Sequence, residues 1–403
     1  MQSSGTLEAF REQVSDWVKA NFPDSLRGVE IGVEGVGGPE HAADLARWRE
    51  ALAAQGYGAP TWPVAYGGAG LSDPEAKVLG QALYQHGAFN PIPVLAGMGV
   101  TMVGPTILEY GTDAQKEKHL PPIARGEVRW CLGLSEPNAG SDLASLNTRA
   151  EAHGDEYVLN GQKIWTSGAD QSQWCGALVR TDPKAAKRDG ISFLMLPMDQ
   201  EGVETRPIRL ISGASPFCET YFNDARAAKS DLLGELNDGW SVIKRLLQHE
   251  RQSQTRSGRT PTDERASLQE LARSYVGLDD DGRLADSDLR GRIVRNMMDG
   301  EAHALTIARI TAEARGKVEV SAVASILKNS NTRVAQDKAE LTLEIMGNQG
   351  LGGSGELFTE AEQAATSEWL WGKAMSIYGG SYEVQNNIIA KNILGLPETT
   401  QKG

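Results

Sequence analysis

Three stretches of the chain carry residue types at spacings suited to chemistry. In the first, residues 132–142, Leu-Gly-Leu-Ser-Glu-Pro-Asn-Ala-Gly-Ser-Asp, an apolar run stops in a turn loaded with glycine and hydroxyl groups. Gly133 and Gly140 let backbone come close to a bound group, and Pro137 and Asn138 force the chain round. Ser135 and Ser141 offer donors, and successive N–H groups in such a turn favour anions, phosphates above all. An ordinary loop between strands has the same composition, so the turn alone leaves both readings open. Not far downstream, Trp165-Thr166-Ser167 sets a flat π-face beside two hydroxyls, which suits stacking on an aromatic cofactor and a hydrogen bond to its edge.

The second stretch is a helical pattern over 240–257. Ile243, Leu246, Leu247 and Glu250 stand at i, i+3, i+4 and i+7, so the carboxylate shares the face of the apolar stripe and points inward. A desolvated carboxylate has a raised pKa, which suits a general base near neutral pH. The competing reading is a buried ion pair with Arg245 or Arg251. The third stretch is Ile377-Tyr378-Gly379-Gly380-Ser381-Tyr382-Glu383-Val384-Gln385, two glycines running into a helix with Ser381 as N-cap. Helix starts of this kind attract anionic or carbonyl oxygens.

The elements that position these residues follow from periodicity. Leu7, Phe10, Val14, Trp17 and Val18 recur at helical spacing, and similar patterns cover about 41–54, 75–84 and 113–125. From Val128 the character turns to strands. Residues 157–165 read as two β-prone runs joined by Asn160-Gly161, the composition of a two-residue hairpin turn. Further strand-like pieces lie at 175–180, 191–197 and 218–222. Long helices return at about 240–257, 263–277, 288–315 and 319–346, with a last one after Gly380, and pack as an up-and-down bundle. The expectation is an α+β multidomain chain: an N-terminal helical domain over 1–126, a middle antiparallel β-sheet or barrel domain over 127–235, and a C-terminal helix bundle over 236–403. The 403 residues exceed what one core usually supports.

Bulk properties narrow the partners. A net charge of −13 with no basic run interleaved with aromatics argues against nucleic acid. No apolar run reaches membrane-spanning length, the first residues lack the layout of a signal peptide, and the chain reads as cytoplasmic. Cys131, Cys175 and Cys218 are scattered and the six histidines do not cluster, so no metal site is expected.

Taken together and in order, these motifs resemble the acyl-CoA dehydrogenase family. Residues 134–142 look like its flavin-binding signature, 157–167 like the hairpin that follows, 222–240 like its sheet-to-bundle junction, and 377–397 like its C-terminal signature. The resemblance runs over about residues 7–397. It implies an FAD site in which Leu132, Leu134, Ser135, Gly140, Ser141, Trp165, Thr166, Ser167, Ser381 and Glu383 bind the cofactor. Leu134 and Ser135 would meet the pyrimidine side of the flavin ring, Ser141 the pyrophosphate, Trp165 the ring face and Ser167 the region of N5. The implied reaction removes a proton α to an acyl-CoA thioester while a hydride leaves the β carbon for N5. Donors must polarise the thioester oxygen, and the backbone N–H that the family uses maps to Gly379. Ser141 and Arg251 are the residues expected on the substrate side.

Departures from the family pattern are informative. Many members carry the catalytic glutamate where this chain has Gly379, which cannot abstract a proton. A subset takes the base from the bundle helix in a Glu-Arg pair, and Glu250-Arg251 matches it, so the family pattern and the helical face select the same residue. The Arg-x-x-Phe-Gly stretch with which a neighbouring subunit completes the FAD site in homotetramers is absent. Glu344 stands where a glutamine is expected, and Asn386 replaces a common arginine. These changes suggest a heteromer in which a paralogous subunit covers the adenosine half, as in members acting on bulky or steroid acyl-CoAs; a homomer with altered contacts is the other reading. Electrons would pass to an electron-transfer flavoprotein. An acyl-CoA oxidase or lyase of the same fold, or a non-catalytic partner subunit, are the alternative functions.

Overall fold

The computed structural model describes residues 4–29, 31–32, 35–256, 266–314, 320–353 and 355–397. Its contacts divide the chain into two compact units, 1–209 with 215–263, and 210–214 with 264–403.

The first unit opens with α1 (Ser4–Asn21), a small ladder of β1 (Ile31–Gly32) and β2 (Gly35–Val36), α2 (Ala42–Ala54), α3 (Asp73–Gln85), the short α4 (Ile92–Leu95), α5 (Gly104–Tyr110) and α6 (Asp113–Ala124). The helix-forming face of α1 lies as the periodicity requires, with Val14 and Val18 buried beside Trp48, Leu52 and Leu83. Both α3 and α6 begin with capping boxes, Ser72 with Glu75 and Thr112 with Gln115, which satisfy N–H groups that a helix start leaves unpaired.

An eight-stranded sheet follows: β3 (Trp130–Gly133), β4 (Arg149–His153), β5 (Glu156–Ser167), β6 (Trp174–Arg180), β7 (Ile191–Pro197), β8 (Val203–Ile208), β9 (Phe217–Ala228) and β10 (Leu232–Leu233). The order is β10-β7-β6-β4-β5-β9-β8, with β3 pairing β6 in parallel and most other pairs antiparallel. The buried residues of β6 and β7 are nearly continuous, because helices cover one face and the rest of the sheet the other. The helix α7 (Gly239–Arg256) belongs to this unit, where Val242, Ile243 and Leu246 join one core with Ile107, Leu178 and Phe193.

The Asn160-Gly161 pair does not turn a hairpin. β5 runs straight through it, and the turn lies earlier, at Gly154-Asp155, where His153 pairs with Glu156. Asn160 instead exchanges hydrogen bonds with Asp224 across a register shift, its Nδ2 donating at 2.9 Å and its Oδ1 accepting the Asp224 N–H at 3.0 Å. Gly161 is needed for proximity: its φ is +154°, and a Cβ there would meet Thr148 Oγ1 at 2.5 Å and Cα at 2.7 Å. Local turn propensity lost to a bulge with a close neighbour. Gly161→Ala is therefore expected to destabilise the first unit by about 2 kcal/mol, read by denaturant unfolding; an unchanged midpoint would remove the close-approach explanation.

Asp231, after β9, ties α6 to the sheet. Its almost wholly buried carboxylate accepts from Lys118 Nζ at 2.8 and 2.9 Å and faces His119 Nε2 at 3.4 Å. Burial works against the charge, but the bonds from His119 and Lys118 hold its pKa below the usual carboxylate value. A folded-state pKa below the unfolded one adds stability that is present above the unfolded value and lost as pH falls through the folded one. Asp231→Asn should cost about 1–3 kcal/mol at neutral pH and flatten the acid side of a Tm-against-pH profile. A variant losing stability with acid as steeply as the wild type would refute this.

The second unit contains α8 (Leu268–Tyr275), α9 (Ser287–Ala314), α10 (Val320–Met346), α11 (Glu360–Gly372) and α12 (Tyr382–Asn392). Helix α10 packs against the other four, and Leu268, Leu289, Ile293, Leu341 and Ile345 form its buried core. No helix among the described residues is long and apolar enough to cross a membrane.

Candidate active site

The turn after β3 is fastened from inside. The backbones of Glu136 and Ala139 bond each other at 3.1 and 3.0 Å, closing the chain round Pro137 and Asn138. The Glu136 carboxylate folds inward, accepting the N–H of Asn147 at 2.7 Å, the N–H of Thr148 at 2.9 Å and Lys163 Nζ at 2.9 Å. Lys163 is fully buried and also donates to the Leu134 carbonyl at 3.1 Å. Burial lowers the Lys163 pKa. For Glu136 burial pushes upward, but the ammonium and the N–H donors bring the carboxyl below its ordinary value. Sequence reasoning centred on glycines and serines missed this pair. The visible clue was the alternation of β5, in which Tyr157, Leu159 and Lys163 all occupy inward positions.

Outside the clamp lie the residues expected to meet a cofactor. Leu132 and Leu134 are half-buried against the core, Ser135 is half-buried, and Gly140 and Ser141 are exposed. Nothing lies within 4 Å of a Cβ built on Gly140. The N–H of Ile164 donates to the Ser135 carbonyl at 2.9 Å, so the turn adjoins the outer end of β5. There a register shift between Lys163 and Thr166 puts Trp165 at φ +61°, a left-handed conformation rare for a bulky residue. The indole is 53% exposed and meets Phe217 edge-on. Such strain persists where surroundings impose it, often at functional sites. Ser167 is half-buried, whereas the Thr166 side chain is fully buried and its Oγ1 has no hydrogen-bond partner among the described residues. The three consecutive side chains do not share one face.

On α7, Ile243 and Leu246 are buried, Leu247 packs on their core, and Glu250 is half-buried at the end of the stripe. Arg245, one proposed ion partner, is committed elsewhere: it forks onto Glu109 of α5 with two bonds of 2.6 Å. His249 Nε2 approaches the same carboxylate at 3.3 Å. The bond from Arg245 is the main reason the Glu109 pKa is lowered. The Arg251 side chain lies outside the described residues.

In the second unit, Gly379 and Gly380 adopt φ of +63° and +93°. Their carbonyls are pinned, Gly379 O by Gln385 Nε2 at 2.5 Å and Gly380 O by Lys328 Nζ at 2.6 Å. Nothing lies within 4 Å of a Cβ built on Gly379. Ser381 caps α12, accepting the Val384 N–H at 3.4 Å, and Glu383 is exposed in its first turn. Glu344 forks onto Arg292 at 2.7 and 2.6 Å, so its charge is offset within the chain. Asn386 accepts from Asn329 at 3.0 Å.

The first unit's set fits the ring of a flavin: an outward indole, hydroxyls at Ser135 and Ser167, and open space over a glycine turn. Three family models match in chain order: acyl-CoA dehydrogenase N-terminal domain over 4–127, middle domain over 131–225 and C-terminal domain over 237–394. The chain is 37% identical over 397 residues to the acyl-CoA dehydrogenase IpdE1 of Mycobacterium tuberculosis, covering 97% of this chain and 98% of that one. It is 35% identical to IpdE1 of Mycolicibacterium smegmatis with the same coverage. Among solved structures, the Tcur3481-Tcur3483 steroid ACAD superposes with a TM-score of 0.76 at 31% identity, covering 99% of each chain. The ChsE4-ChsE5 complex from Mycobacterium tuberculosis gives 0.74 at 29%, covering 99% of this chain and 100% of that one. With its three domains in order and this similarity along nearly its whole length, the chain belongs to the acyl-CoA dehydrogenase family.

Proposed function

We propose that the chain is the catalytic subunit of an FAD-dependent dehydrogenase that converts a bulky, ring-bearing acyl-CoA to its 2-enoyl-CoA. The observation that carries the reading is Glu250, half-buried on α7 one turn beyond the packed Leu246 and Leu247. Glu250 takes the α proton, and a carboxylate held on a packed helix needs little reorganisation to do so. Bound FAD supplies the acceptor for the β hydride, and an electron-transfer flavoprotein then takes the electrons. Leu132, Leu134, Ser135, Trp165 and Ser167 hold the ring side, Gly140 and Ser141 the pyrophosphate, and Ser381 and Glu383 the adenosine side. The Gly379 N–H polarises the thioester oxygen, and the carbonyls of the two peptides that follow it are pinned, which holds the turn on its C-terminal side.

A paralogous subunit completes the assembly. This is supported by the absence of Arg-x-x-Phe-Gly, by the 31% identity to the Tcur3481-Tcur3483 steroid ACAD and by the similarity to the ChsE4-ChsE5 complex. The test is to co-express the chain with candidate paralogues, isolate the yellow complex, and ask which acyl-CoA bleaches its flavin without oxygen. Bleaching by ring-bearing thioesters is expected. A stable homomer with one FAD per chain would overturn the heteromer, and rapid oxygen consumption would replace the dehydrogenase by an oxidase.

A further inference from the structure

The buried Lys163–Glu136 pair sits directly behind the turn, and its geometry has a directional consequence. The Leu134 carbonyl accepts Lys163 Nζ from the interior. That carbonyl and the Ser135 N–H belong to one peptide unit, and the described chain has no cis peptide. In a trans peptide the two groups point in opposite directions. The Ser135 N–H is therefore turned away from the ammonium, and it makes no hydrogen bond among the described residues. The Lys163 bond holds that peptide by its carbonyl, and the next peptide is held in turn by the Ile164 N–H on the Ser135 carbonyl. An ammonium on the carbonyl oxygen also draws charge through the amide and strengthens the N–H as a donor.

Resting on the flavin reading above, we propose that Lys163, anchored by Glu136, is a positioning residue that presents the Ser135 N–H as a preorganised donor to the electron-rich pyrimidine edge of the flavin. Glu136 has a second part in this. By accepting from Asn147 and Thr148 as well as Lys163, it prevents the ammonium from moving off the Leu134 carbonyl when the site is empty. Reduction puts negative charge on the pyrimidine side of the ring, so a donor fixed there favours the reduced cofactor.

The experiment uses the chain with its co-purifying subunit and the double variant Lys163→Met/Glu136→Gln, which removes both charges and leaves no unpaired ion in the interior. The fold should survive, as seen by circular dichroism and thermal unfolding of the cofactor-free protein. The FAD dissociation constant is expected to rise at least about tenfold, and the flavin midpoint potential to become more negative. A folded double variant with wild-type FAD affinity and potential overturns the proposal. A second measurement needs no variant. Leu-Ser occurs only at 71–72 and 134–135, so labelling leucine carbonyl carbon and serine nitrogen gives two peptide signals, of which the Ser135 amide should shift on adding FAD. If it does not move while FAD binds, the proposal fails. If the wild-type complex binds no FAD, the flavin reading itself fails, and this one falls with it.

Discussion

Glu250→Gln is expected to retain FAD and to bleach it with acyl-CoA about 10²–10⁴ times more slowly than the wild type, the range that a positioned general base contributes. The carboxamide matches the carboxylate in shape, so the α7 packing through Ile243 and Leu246 should be undisturbed. What is lost is the ability to take a proton. Three readouts separate this from damage: an unchanged flavin spectrum, an unchanged Tm, and loss of α-proton exchange into deuterated water. Near-normal bleaching by Glu250→Gln would remove Glu250 as the base. The neighbouring network gives a graded control. Glu109→Gln weakens the fork that holds Arg245 and brings His249 to α5, so it should lower the rate less than the loss of the base itself.

The largest stability effect is expected at Glu136. Glu136→Ala leaves the Lys163 ammonium buried without its counter-charge and removes the acceptor of the Asn147 and Thr148 N–H groups. Breaking one side of a buried pair costs about 3–5 kcal/mol, enough to lower Tm by roughly 10 °C. Glu136→Gln/Lys163→Met should cost distinctly less than Glu136→Ala, because no naked charge remains inside. Losses that simply add across single and double variants would show that the two residues do not act as a unit. The single variant should also become more stable relative to wild type as pH rises, since the uncompensated lysine can then shed its proton.

The legible parts of the sequence were those written in periodicity and order. The stripe Ile243, Leu246, Leu247 was legible as the packed face of α7, with Glu250 half-buried beyond it, and the start of α9 and the end of α10 were anticipated to within a residue. Helix α11 went unread, since its exposed and buried positions alternate without a sustained apolar stripe. β5 was the instructive failure. Asn-Gly has a strong local preference for a tight turn, but the pairing of Asn160 with Asp224 and the close contact of Gly161 with Thr148 reward a bulged continuous strand instead. A single Lys in a strand says nothing of its partner 27 residues earlier, so the Lys163–Glu136 clamp was invisible.

By itself, then, the sequence determined the helix–sheet–helix order, the family resemblance and the inward face of α7, because side-chain periodicity and short motifs act over a few residues. Only the tertiary structure decided that β5 continues through Asn-Gly, that Trp165 is turned outward at positive φ, that Arg245 belongs to Glu109, and that α7 packs with the sheet's own unit. Each of these depends on a partner far along the chain, where packing and buried charge outweigh local preference.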